Sequence, residues 1–256
     1  MRAVVLLREQ PVYRRGSFLA GLQASGYSVV REIAAPGPAD VLVIWNRYGH
    51  WAQLASRYEA RGARVIVAEN GYVGREWRGG VWYQLALGWN NGAGRWPVGD
   101  PARAAIFAEE LKPWRAGGDY VLVLAQRGIG SPPVAQPLRW HERAVADLER
   151  AGHRVVLRGH PGNHQENPSL YAQLEGASCA VTWGSGAGVK ALLHGVPVYH
   201  GMPRWIGSPA ARAYQKPLPE PLRGDRSAML TRMAWAMWSV EEIASGEAFR
   251  HLLGLR

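Results

Sequence analysis

Cysteine is nearly absent. Cys179 is the only one in 256 residues, so the chain holds no internal disulfide and no cysteine-based zinc cluster. Long apolar runs are missing too. No stretch approaches the roughly 20 apolar residues that cross a bilayer. The opening MRAVVLL is too short for the apolar core of a signal peptide and has no cleavage-like site. These absences predict a soluble, cytoplasmic protein without a membrane span, read as a monomer. Lysine is scarce, at Lys112, Lys190 and Lys216 alone, and there are only 3 phenylalanines.

What is present instead is arginine and tryptophan. The formal net charge is +10, carried almost wholly by arginine, and there are 12 tryptophans. The guanidinium is a planar donor fork that matches phosphate. A basic, arginine-rich surface suits nucleic acid, a nucleotide or an anionic membrane. GC-rich coding also favours Arg, Ala, Gly and Trp, and composition alone does not separate the two origins. With 47% hydrophobic and 20% charged residues the chain has a globular balance, which excludes a disordered one.

The pattern along the chain alternates. Short β-rich runs at 3–7, 27–33, 41–45 and 65–68 are separated by helical spacing at 17–25 and 51–61. A long stretch at 69–99, rich in Gly, Trp and Asn, breaks the rhythm and reads as irregular. A helix is expected at 100–111 and a linker at 112–118. The alternation then resumes: strands at 120–125, 153–158, 179–183 and 196–199, and helices at 139–151, 168–175 and 188–194. Residues 200–224 read as loop. Asp225 can cap a long final helix at 226–244, followed by a short one at 247–253. The fold class is therefore α/β, with two parallel-sheet halves. The expected domains are 1–114 and 115–225, with 226–256 forming C-terminal helices that can cross back to the first half.

Three groups competent for phosphate follow three strands of the second half. In VTWGSGAGVKALLHGVPV a strand runs into glycines and straight into a helix. Free N–H groups at such a helix start form an anion site, with Ser185 adding a hydroxyl and Gly186 allowing close approach. Arg158 and His160 stand in RGHPGN after another strand, and Arg127 stands in AQRGIGS after a third. Ligands of α/β sheets bind at the carboxyl ends of strands, so their convergence there points to a site. Each also has a plainer reading, as a packing glycine or a surface side chain.

These residues carry a resemblance. Arg158, His160 and Pro161, then Ser185, Ala191, Leu192, Gly195, Pro197 and Val198, resemble the donor half of GT-B glycosyltransferases, most of all the capsule-polysaccharide and Kdo-transferase-like branch. It spans about residues 120–200. The resemblance implies two Rossmann-like halves with a cleft between them. It implies a nucleotide-sugar co-substrate, a UDP-sugar by expectation, with no metal and no other cofactor. Arg127, Arg158, His160, Ser185 and Gly186 would hold the donor phosphates. Lys190 stands where many relatives have a glutamate for the donor ribose or sugar, and could pair with a phosphate instead.

Glu69, in ENGYVG, resembles the carboxylate that these transferases supply from their first half. Sugar transfer needs a base for the acceptor hydroxyl, and Glu69 and His160 are the catalytic candidates. Asp40 lies at the wrong end of its strand. Trp89, Asn90, Asn91, Arg95 and Trp96 in GWNNGAGRWP read either as an acceptor loop or as a turn with aromatic anchors. For the acceptor, the charge and the tryptophans favour DNA bearing a hydroxylated or hydroxymethylated pyrimidine, as in phage-type enzymes acting in a host cytoplasm. A polysaccharide or lipid-linked glycan is the alternative. A non-catalytic nucleotide- or DNA-binding protein is a third reading, from another class.

Overall fold

The computed structural model describes residues 1–128, 130, 132, 134–160 and 168–255. The chain forms two compact units. Unit 1 is Met1–Gly99 with Ala234–Arg256, and unit 2 is Asp100–Met233.

Unit 1 begins as the sequence pattern dictates. Strands β1 (Arg2–Leu6), β3 (Val41–Trp45) and β4 (Arg64–Asn70) are parallel, with Val4 opposite Leu42 and Val43 opposite Ile66. Val41 to Ile44 are all buried, as expected of a strand covered on both faces. Helices α1 (Arg15–Ala24) and α2 (Gly49–Glu59) make the crossovers. The expected strand at 27–33 shrinks to β2 (Ser28–Val29) at the sheet edge. Asp40 ties the opposite end together. It accepts from the backbone N–H of Arg2 (3.1 Å) and Gly37 (3.0 Å) and from the Arg2 guanidinium (2.6 Å). These bonds hold its carboxyl below the usual range, with burial opposing them.

Two expectations fail in this unit. The stretch 69–99 is not irregular throughout. β4 runs on to Asn70, and β5 (Glu76–Trp77) and the eight-residue β6 (Gly80–Leu87) follow. β6 lies antiparallel to β4, with Gln84 opposite Glu69. Its alternation was masked by the surrounding Gly and Asn: Tyr83 and Leu85 enter the core with Phe18, Leu22 and Trp238, while Gln84 takes the other face. Nor is 226–244 one helix. It divides into α6 (Ser227–Ala234), strand β12 (Met237–Ser239) and α7 (Val240–Ala244). Ser239 stops continuity, because its hydroxyl accepts from Glu242 N (3.2 Å) while Glu242 accepts from Ser239 N (2.8 Å). This reciprocal cap starts a new helix. β12 then pairs with β6, Trp238 opposite Tyr83.

Unit 2 holds a five-stranded sheet in the order β11-β10-β9-β7-β8, all parallel: β7 (Tyr120–Leu124), β8 (Val155–Arg158), β9 (Ala177–Thr182), β10 (Val198–His200) and β11 (Arg212–Ala213). The last lies inside the region expected to be loop. One face packs on α3 (Trp140–Arg150) through Ala144 and Leu148, against Val121, Val123, Cys179, Val181 and Tyr199. Burial pushes the Cys179 thiol up to about 11, so it is a packing group. The other crossovers are α4 (Leu170–Glu175) and α5 (Gly186–Leu193). The expected helix at 100–111 is a 3-10 helix, Pro101–Phe107, started by Asp100 accepting from Ala102 N at 2.8 Å.

The C-terminal residues of unit 1 dock on α1 at a glycine. A Cβ on Gly21 would lie 1.8 Å from the Ile243 carbonyl oxygen and 2.9 Å from the Phe249 ring. The Ser25 hydroxyl shares its proton between the carbonyls of Gly21 (2.8 Å) and Gly246 (3.1 Å). Gly21→Ala must separate α1 from α7 and α8 (Glu247–Leu253). We expect a loss of about 1–3 kcal/mol in chemical unfolding, the usual cost of overpacking. An unchanged midpoint would contradict this close approach.

Candidate functional site

In a parallel sheet every strand ends at the same edge. In unit 2 that edge gathers Gln126 and Arg127 after β7, Arg158 at the end of β8 and His160 after it, Trp183 to Ser185 after β9, and His200 at the end of β10.

Ser185 is at the centre of this edge. It is the N-cap of α5, with extended backbone, and its Oγ accepts from Gly188 N at 3.3 Å. Thr182 Oγ1 donates to the same oxygen at 3.1 Å and accepts from Ser185 N at 3.1 Å. Of the two hydroxyl protons of this pair, one lies between the oxygens and the other is left to donate elsewhere. The N–H groups of Gly186 and Ala187, in the first helical turn, have no acceptor within the helix. The Gln126 side chain accepts from Gly184 N at 2.8 Å and so joins two strand ends. The glycines have mixed duties. A Cβ on Gly184 would meet Met202 at 2.8 Å, and one on Gly188 would meet Thr182 at 2.9 Å and Trp205 at 3.0 Å. Those two are packing glycines, as the plainer reading held.

The cations are not equivalent. Arg158 donates to the Pro168 carbonyl at 2.6 Å and to the Gln173 side chain, so its guanidinium anchors the approach to α4. Lys190 sits one turn into α5, half-buried. Burial lowers its pKa and Arg158 adds to the lowering, while Glu110 opposes it. His160 is lowered by burial first and then by Arg127, which identifies Arg127 as its charged neighbour. Pro161, Gly162 and Asn163 of the motif lie outside the described residues. Sequence reasoning overlooked Gln126, Thr182 and His200. The signal for all three was position, since each ends or directly follows a strand at this edge.

In unit 1, Glu69 stands at the carboxyl end of β4, partly exposed, inside the strand rather than after it. Its Oε1 accepts from Asn70 N at 2.8 Å. Of the expected acceptor loop, two residues reach this region. Asn91 N donates to the side chain of Gln84, the register partner of Glu69, at 3.0 Å, and Asn90 donates to Asn46 at 3.4 Å. The other three make different contacts. Trp89 lies under the buried Arg47, 4.2 Å from ring centroid to guanidinium carbon. Arg47 is itself bound to both oxygens of Glu59 (2.9 and 2.6 Å) and to the Gly88 carbonyl (2.6 Å). Trp96 packs against the core. Arg95 bridges Leu87 and borders a cavity with Gly62, Arg64 and Val65, at the amino end of β4 and away from Glu69. Asn46, in the left-handed region (φ 55°), and Gln84 were missed. Asn directly after an apolar strand was the available signal for the first.

No family model and no curated protein matches the sequence. Solved structures do match it in shape. The Thermosulfurimonas dismutans KpsC beta Kdo 2,4 transferase superposes with a TM-score of 0.60 at 14% identity, covering 94% of this chain and 98% of that one. The beta Kdo 2,7 transferase of KpsC from the same organism gives 0.59 at 14%, covering 96% and 98%. The chain therefore has a two-domain Rossmann-like GT-B fold. Among the described residues, no group of three or more His, Cys, Asp or Glu is placed to hold a metal ion, and no helix is long and apolar enough to cross a membrane.

The Arg127–His160 proximity has a direct test. Followed by NMR, the His160 imidazole should titrate below its ordinary value of about 6.5. Arg127→Gln should raise that midpoint, because it removes the charge that opposes protonation. A midpoint insensitive to Arg127→Gln would separate the two residues.

Proposed function

We propose that the chain is a glycosyltransferase that moves a sugar from a nucleotide-sugar donor to a hydroxyl of a glycan. The observation that carries this reading is the Ser185 cap. It sets a hydroxyl and two first-turn amides at the carboxyl edge of a parallel sheet, the edge that also carries Arg127, in a fold shared with sugar transferases.

The chemistry follows from these groups. The acceptor oxygen attacks the anomeric carbon while Glu69 takes its proton. The bond between the anomeric carbon and the phosphate oxygen breaks, and the leaving phosphate keeps the electron pair. Its charge is met by the amides of Gly186 and Ala187, the Ser185 proton and Arg127. Burial and then Arg127 lower the pKa of His160, which favours a hydrogen bond from the neutral ring over charge.

The glycan acceptor is preferred over DNA because of the tryptophans. None of the 12 is exposed, and many are engaged with other rings or with arginine. A flipped base stacks on an open ring, and no fully exposed tryptophan supplies one. The structural neighbours named as Kdo transferases point the same way.

The test uses UDP-, GDP- and CMP-sugars. At least one should raise the melting temperature, and nucleoside phosphate should be released on adding a glycan acceptor. No shift with any donor would remove the transferase reading. Turnover on hydroxymethylated DNA instead of glycans would reverse the acceptor. Glu69→Gln should cut transfer by about 10²-fold or more while the donor still binds. Undiminished turnover would take Glu69 out of the mechanism.

A further inference from the structure

The edge of unit 2 is rich in donors. Arg127, Lys190, the Ser185 proton and the first-turn amides of α5 all offer hydrogen. Such a set recognises phosphate well and hydroxyl groups poorly, because a hydroxyl placed beside donors needs an acceptor to receive its proton. His200 has the geometry of that acceptor.

His200 ends β10, in register with Thr182 of β9. Its neighbour Tyr199 enters the core beneath α3, so His200 leaves the opposite face, the face that Thr182 shares. Neighbouring strands lie about 5 Å apart, which sets the imidazole beside the Thr182–Ser185 cap. The seat is rigid. The ring lies 5.5 Å from that of Trp205, which is wholly buried and packs under Gly184 and Gly188. The next residue, Gly201, is held between Trp183 and Trp140, where a Cβ would come within 2.5 and 2.7 Å of the rings.

The tautomer follows from one contact. His200 Nδ1 lies 3.0 Å from the Met202 carbonyl, which only accepts, so Nδ1 carries the proton. Nε2 then holds a bare lone pair. Among the described residues Nε2 has no protein partner, and the residue is 9% exposed. Burial lowers the pKa of the ring, with the Met202 bond opposing, which favours the neutral acceptor form.

We propose that His200 is a donor-specificity residue, whose Nε2 accepts a hydrogen bond from a ribose or sugar hydroxyl of the nucleotide sugar. This rests on the transferase reading given above.

The test is a ligand-and-mutant cycle by calorimetry. The ligands are the nucleotide sugar that binds best among UDP-glucose, GDP-mannose and CMP-sialic acid, its 2′- and 3′-deoxyribose analogues, and its deoxy-sugar analogues. Inorganic pyrophosphate is the control. In the wild type, loss of one hydroxyl should weaken binding about tenfold, the order of one neutral hydrogen bond. The analogue affected tells ribose from sugar. His200→Asn keeps an N–H for the Met202 carbonyl and removes Nε2. It should weaken the parent ligand by the same factor, lose sensitivity to that hydroxyl, and bind pyrophosphate as the wild type does. If no hydroxyl matters in the wild type, or the sensitivity persists in His200→Asn, the inference falls while the transferase reading stands. If pyrophosphate weakens in parallel, His200 only shapes the α5 turn, and the inference falls again. If no nucleotide sugar binds the wild type, both readings fall together.

Discussion

The parallel pairing of unit 2 governs what its side chains can do. Strands that all run one way release all their following loops at one edge, and each crossover returns on a helix whose first turn starts there. Arg127, His160, Ser185 and His200 are up to 73 residues apart in sequence yet share that edge, since β7, β8, β9 and β10 end together. The cap of α5 depends on this order. Thr182 must end its strand where Ser185 turns, so that one hydroxyl pair can hold the turn and leave a proton free.

The two compositional excesses have structural uses. Arg47 is buried against Glu59 and Trp89, and Arg226 is buried with bonds to the carbonyls of Leu192 and Lys112, both 2.6 Å, beneath Trp114. Arginine serves here as a rigid multi-donor cross-link for loop carbonyls, a role that lysine fills less well. The tryptophans are its stacking partners and the filling of both units. Net charge and tryptophan number therefore say less about a nucleic-acid partner than they suggest when counted from the sequence.

The strands buried on both faces were legible because VLVIW and YVLVL need no context to be recognised. That Arg127, His160 and Ser185 share one sheet edge was legible for the same reason: strand ends and glycine turns are local features. What was hidden depended on pairing. β6 exists because it pairs with β4, and β12 because it pairs with β6, and no local signal announces that. The fate of GWNNGAGRWP turned on Arg47, more than 40 residues upstream, which claimed Trp89 and Gly88. Nor does the sequence show that one nitrogen of the Arg158 guanidinium is bonded to Gln173 and the Pro168 carbonyl.

The central claim is that the first turn of α5 in unit 2 receives the phosphate of a nucleotide sugar. A crystal structure with that ligand bound tests it most directly. The account predicts phosphate oxygens within hydrogen-bonding distance of the Gly186 and Ala187 amides and the Ser185 hydroxyl. A nucleotide whose phosphates lie elsewhere, for example against the first turn of α1 in unit 1, would contradict it.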